Sequence, residues 1–180
     1  MDQVIFLTCM ILTLVICLFG IVGNFLTGLV LIRKEMRSST NYFLLGLTFS
    51  DILLLIIGFL RTTNNLVPFL DGPPALAVFL FLWDWTCTSG TRYFTVIVSV
   101  ERFIAVRWPL KARVWLTPGR ARVASLGMGL FTVFLAIVAF FYNKYAHAYG
   151  FDLFAALVLH FTPFVIIVVL NILIYNEVRP

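Results

Sequence analysis

With 180 residues, 62% of them hydrophobic and only 12% charged, this chain carries too much apolar surface to remain in water, which excludes an ordinary soluble domain. Its net charge of +5 comes from 13 basic residues against 8 acidic ones, and the basic clusters abut apolar runs, so they read as loop charge beside a bilayer and not as a nucleic-acid surface. No Ser/His/Asp or Cys/His grouping and no glycine-rich loop after a strand supports catalysis, and His147 and His160 lack carboxylate or thiol partners at metal-ligand spacing.

A helical span needs ~20 mostly apolar residues. Five runs qualify, at about Val4–Ile32, Tyr42–Leu60, Ala75–Val106, Val123–Tyr142 and Phe151–Val178. They are continuous and far longer than the ~10 residues of a barrel strand. The reading is therefore all-α, a polytopic transmembrane helix bundle occupying residues 1–180.

The first run is preceded by Met1-Asp2-Gln3, without positive charge, and is too long for a signal core, so it reads as a retained anchor. Gly20, Gly23, Asn24 and Gly28 interrupt it. Small residues let helices approach closely, and a buried amide can bond a neighbouring backbone. In the second run, Asp51 lies amid TNYFLLGLTFSDILLLIIGF. A carboxylate at that depth costs ~2.5–3.5 kcal/mol on insertion scales, which makes it a functional candidate. Simple protonation or a nearby hydroxyl is the bland alternative.

The third run is the longest. Ala75 to Arg102 is 28 residues, about 42 Å of helix against ~30 Å of hydrocarbon, so it must tilt or protrude. Eighteen residues make five turns, which puts Asp84 and Arg102 on one face, with Thr88, Thr91, Thr95 and Ser99 close to the same line. Such a stripe should face the bundle interior. Thr95 and Ser99 are also expected to bond carbonyls of the preceding turn. At the end of this run stands Glu101-Arg102-Phe103, then Pro109 and a basic loop, Arg107–Arg122. Adjacent opposite charges at a helix end are retained where they serve each other or a partner, and Glu101 is expected to pair with Arg102.

The fifth run carries Pro163, which removes a backbone donor and should kink the helix. Asn171 and Tyr175, four apart, share one side. Cys9, Cys17 and Cys87 all fall inside runs, where cysteine acts as a small hydrophobe, and no structural disulfide is expected. With the N-terminus outside, ten of the thirteen basic residues fall on the cytoplasmic side, two (Arg61 and Lys144) outside, and Arg92 within the third run. That asymmetry predicts an extracellular N-terminus.

Gly23-Asn24, Leu47-x-x-x-Asp51, Glu101-Arg102-Phe103, Pro109 and Pro163 occur in one order across five helices. In this the chain resembles rhodopsin-like (class A) G-protein-coupled receptors. MRSSTNYFLLGLTFSDILLL, PLKAR and TPGRARV look most like invertebrate FMRFamide-type neuropeptide receptors. The resemblance implies a multi-pass plasma-membrane receptor signalling through a heterotrimeric G protein, with a peptide as ligand. It implies a G-protein switch at Glu101, Arg102, Phe103 and Pro109, and a polar network of Asn24, Asp51 and Thr91 in which Asp51 holds a sodium ion. The ligand pocket would include Asp84, Arg61, Thr88 and His160, with a kink at Pro163. No other cofactor is implied.

Departures accompany the resemblance. Ala77 stands where the family has a disulfide cysteine, Gly129 replaces a tryptophan, and Asn171 replaces a tyrosine. Five helices stand where the family has seven, so the sixth and seventh are lacking and the expectation is a fragment of a longer receptor or a truncated product. Two alternatives remain open: a biogenic-amine receptor using Asp84 for the ligand ammonium, and a non-signalling membrane protein or transporter. Asp84 itself has two readings, a ligand carboxylate or an internal partner of Arg61.

Overall fold

The computed structural model describes residues 2–33, 35, 38–66, 72–145, 153 and 156–179. Over these residues the chain forms α1 (Asp2–Leu31), α2 (Ser39–Leu66), α3 (Pro74–Arg107), α4 (Pro109–Trp115), α5 (Pro118–Tyr145) and α6 (Thr162–Val178), with a π-helical stretch, Ala156–Phe161, leading into α6. No strand occurs among the described residues. The region 146–152 of the expected loop and fifth span, with His147, lies outside them.

Proline sets where helices begin. Pro74, Pro109 and Pro118 open α3, α4 and α5, and Pro163 is the second residue of α6. At the first turn the missing N–H has no intrahelical acceptor to lose. Trp108, wedged before Pro109, leaves the helical region at φ −135°, ψ 67°, because a following proline disfavours the α conformation. The chain therefore breaks and restarts, and the expected basic loop contains the two-turn helix α4, docked through buried Ala112.

α2 outruns its expected end at Leu60 by six residues. The hydroxyls of Thr62 and Thr63 donate to the carbonyls of Gly58 and Phe59, at 2.8 and 2.9 Å, so these polar residues extend the helix instead of ending it. Ser38 Oγ accepts the Asn41 amide at 3.2 Å and caps the other end. Gln3–Leu31, Ser39–Leu66 and Pro118–Tyr145 are long and apolar enough to cross a membrane. α3 has 34 residues but carries Asp84, Arg92, Glu101 and Arg102, and α6 has 17.

α3 is the central helix, packed against α2, α5 and α6, while α1 packs on α2. Phe43, Val98 and Ala121, from α2, α3 and α5, form a buried cluster flanked by Tyr42, Leu44 and Ile97. Two close approaches fix α2 on α3. A methyl group at Gly46 would sit 2.5 Å from the Phe94 ring, and one at Gly90 would sit 2.5 Å from Ser50 Oγ. In α1, Gly20 admits Leu55 and Gly28 meets Thr48, but nothing lies within 4 Å of Gly23. The expected close packing thus belongs to Gly20 and Gly28 and not to Gly23, which points away from α2.

Candidate functional site

The polar residues of α3 form a line with charged groups at both ends. At one end Arg61 Nη1, on α2, donates to Asp84 Oδ2 at 2.7 Å. The side chains keep 47% and 27% of their exposure, so the pair is partly wet. Of the two readings of Asp84, the internal one describes this arrangement. Thr88 lies one turn further along α3, half-buried.

In the middle, Thr91 Oγ1 donates to Asp51 Oδ1 at 2.6 Å, joining α3 to α2. The length is that of a charge-assisted bond, and it occupies one oxygen of the carboxylate. Asn24 does not join it. Its amide donates to Gly20 O of its own helix at 2.9 Å. Thr95 and Ser99 likewise donate to Thr91 O and Thr95 O, at 2.7 and 2.9 Å.

At the far end the expected Glu101–Arg102 pair does not form among the described residues. Glu101 is buried, 4% exposed, with Oε2 lacking any hydrogen-bond partner, whereas Arg102 is exposed. The reason is geometric: neighbours on a helix diverge by 100°. Glu101 continues the buried stripe of Phe94 and Val98, at i+7 and i+3 from them, and that direction turns Arg102 outward. Phe103 meets Trp108 edge-on, with ring centroids 5.8 Å apart, and Pro109 starts α4 directly after.

The end of α3 is instead tied to α6. Arg107 Nη1 donates to Glu177 Oε2 at 2.8 Å. A further tie, Arg122 Nη2 to Tyr42 Oη at 3.0 Å, links α5 to α2 beneath the buried cluster. Sequence reading missed both. Each joins residues 70 or 80 positions apart, so the only available signal was that helix ends of one sidedness must meet.

Pro163 is buried, and its missing N–H is accompanied by the wide-turned stretch before it. There Thr162 Oγ1 donates to Leu157 O, five residues back, at 2.8 Å, and Tyr93 Oη donates to Val158 O at 3.0 Å, pinning the stretch to α3. A π turn is a common response to a lost helical bond. His160 lines a cleft of about 540 Å³ between this stretch and α3, with Thr91, Arg92 and Thr95 opposite. The structure therefore joins Asp84 to Arg61 and Asp51 to Thr91, sets His160 across from Thr91, and leaves Asn24 outside.

Comparison with known proteins adds the family. The family model of the 7 transmembrane receptor (rhodopsin family) matches residues 23–180. Among similar proteins, neuromedin-U receptor 1 of Homo sapiens is 39% identical over 113 residues, 61% of this chain and 26% of that protein. The FMRFamide receptor of Drosophila melanogaster is 32% identical over 137 residues, 68% of this chain and 24% of that protein. Growth hormone secretagogue receptor type 1 of Oryctolagus cuniculus is 37% identical over 114 residues, 59% of this chain and 30% of that protein. The matched stretch thus spans about a quarter to a third of the length of these relatives.

Proposed function

Because this membrane chain belongs to the rhodopsin family of 7 transmembrane receptors, we propose that it forms part of a plasma-membrane receptor for a small peptide, signalling through a heterotrimeric G protein. The observation that carries the peptide reading is the Arg61–Asp84 pair. An amine ligand needs a free carboxylate for its ammonium, and here a guanidinium already occupies it. A peptide bearing both an arginine and a terminal amide, as in the FMRFamide type, can address both charges at once: its cation engages Asp84 while its carbonyls take the donors of Arg61. Thr88, one turn inward from Asp84 on α3, and His160, on the cleft beyond it, are read as further ligand contacts. Relatives with 32–39% identity are receptors named for peptides and a secretagogue, which supports this class.

Asp51 and Thr91 are read as a sodium site between α2 and α3, on the strength of their 2.6 Å bond and the oxygen atoms left over. Arg102, Phe103 and Pro109 are read as the surface that meets the G protein, with Glu101 behind them. Support comes from the exposure of Arg102 at the end of α3 beside the basic Arg107–Arg122 segment. The orientation that goes with this reading has the N-terminus extracellular and that segment cytoplasmic, following the ten-to-two charge asymmetry.

The test is G-protein activation by the full-length receptor in cells, challenged with amidated Arg-Phe peptides and with biogenic amines. The expected result is a response to an amidated peptide that falls in both Arg61→Gln and Asp84→Asn. A response confined to an amine and lost only in Asp84→Asn would overturn the peptide reading.

A further inference from the structure

A proline strands one carbonyl of the turn before it, and the winding of that turn decides which one. In an α-helix an amide bonds the carbonyl four residues back, and in a π-helix the carbonyl five back. Pro163 has no amide to give. In an α winding it would strand the carbonyl of Leu159 and press its own ring against it. In a π winding it strands that of Val158. Val158 O is the carbonyl that Tyr93 Oη takes, at 3.0 Å. Thr162 Oγ1 takes Leu157 O, again five residues back. Both hydroxyls therefore answer the π winding of Ala156–Phe161.

Tyr93 is placed for this by α3 and α5. It stands nine residues from Asp84, which is 180° round the helix from the polar line. Its half-buried ring meets Phe131 of α5 edge-on, with centroids 5.4 Å apart. The α winding would hand Val158 O to the Thr162 amide and take one residue out of the turn. Everything ahead of the stretch would then rotate by about 100° and shift by about 1.5 Å along the axis, and His160 would be drawn part of the way round. An unanswered carbonyl among apolar helices is costly, so the Tyr93 hydroxyl favours the winding that gives it Val158 O.

We propose that Tyr93 is a positioning residue for the segment ahead of α6: its hydroxyl holds residues 156–161 in the π winding and so fixes how His160 is presented to a ligand. The winding does not depend on the peptide reading, whereas the consequence for the ligand rests on that reading through His160.

The test uses the full-length receptor in nanodiscs, without ligand, and with trifluoromethylphenylalanine in place of Leu157, which is exposed. Pro163→Ala restores the amide and removes the ring, and its fluorine resonance marks the α winding. The otherwise unaltered protein should give a different resonance, and Tyr93→Phe should move most of the signal to that of Pro163→Ala. Phe131→Leu, which loosens the same packing and keeps the hydroxyl, should leave the signal where it was. An unmoved resonance in Tyr93→Phe would overturn the proposal, and so would an equal displacement in Phe131→Leu. With an amidated Arg-Phe peptide, Tyr93→Phe and His160→Ala should each weaken binding about fivefold, the worth of one hydrogen bond. The two losses should not add, because the first already takes His160 out of place. Additive losses would break the link to His160. Absence of any peptide response would overturn the peptide reading and leave the fluorine result standing.

Discussion

Arg61 reaches across from α2 to Asp84 on α3, and their 2.7 Å contact closes one end of the polar line that runs down the central helix. The pair is partly exposed, so its Coulombic gain is moderated by water. Replacing Arg61 by Gln and Asp84 by Asn, singly and together, should show a coupling of ~0.5–1 kcal/mol in thermal stability without any ligand. Strictly additive effects would show that the contact does not stabilise the fold, and Asp84 would then be free for a ligand cation.

Glu101 and Arg102 should behave as independent residues. With one Glu101 oxygen buried and unpartnered, Glu101→Gln removes a charge without stranding a partner. Stability should hold or rise by ~1 kcal/mol. In a full-length receptor the same change should leave basal signalling unchanged, and Arg102→Ala should abolish coupling. A loss of ~3–5 kcal/mol in Glu101→Gln, the signature of a broken buried ion pair, would reinstate the pairing with Arg102.

The glycine seats between α2 and α3 should reject a methyl group. Gly46→Ala drives a carbon against the Phe94 ring and Gly90→Ala one against Ser50 Oγ. Each should lower stability by ~1–3 kcal/mol through overpacking. Gly127→Ala, on α5 with nothing within 4 Å, is the control and should be neutral or slightly stabilising. Equal behaviour of all three in a thermal unfolding series would refute the close approach.

Orientation can be read chemically. A cysteine introduced at Arg113, on α4, should resist a membrane-impermeant thiol reagent applied to intact cells and react once the cells are opened. Efficient labelling from outside would invert the topology and remove Arg102 from any cytoplasmic partner.

Sequence reading and structure part company where direction matters more than position. Asp51 was legible as a lone acid in an apolar run, and Arg61 and Asp84 as opposite charges at one end of neighbouring helices. Depth along a span follows from counting residues. Which way a side chain turns does not, because it depends on which stripe of the helix packs. Phe94, Val98 and Glu101 share the buried stripe of α3, and Arg102, one position on, therefore points away. Asn24 turns its amide to the carbonyl of Gly20 in the preceding turn and not to Asp51. α4 was hidden because a run of basic residues reads as loop, although Pro109 after Trp108 permits a fresh helical start.

The seats at Gly46 and Gly90 are reciprocal. α2 offers the hollow that takes Phe94 from α3, and α3 offers the hollow that takes Ser50 from α2. Two pegs set in opposite directions act as a spline: a shift of either helix along its axis drives one peg into the wall of its hollow. α2 and α3 can roll about this joint but cannot piston past one another. α6 meets α3 without such a joint: it is held at its far end by the ion pair to Arg107 and, ahead of its first turn, by the Tyr93 hydroxyl on the Val158 carbonyl.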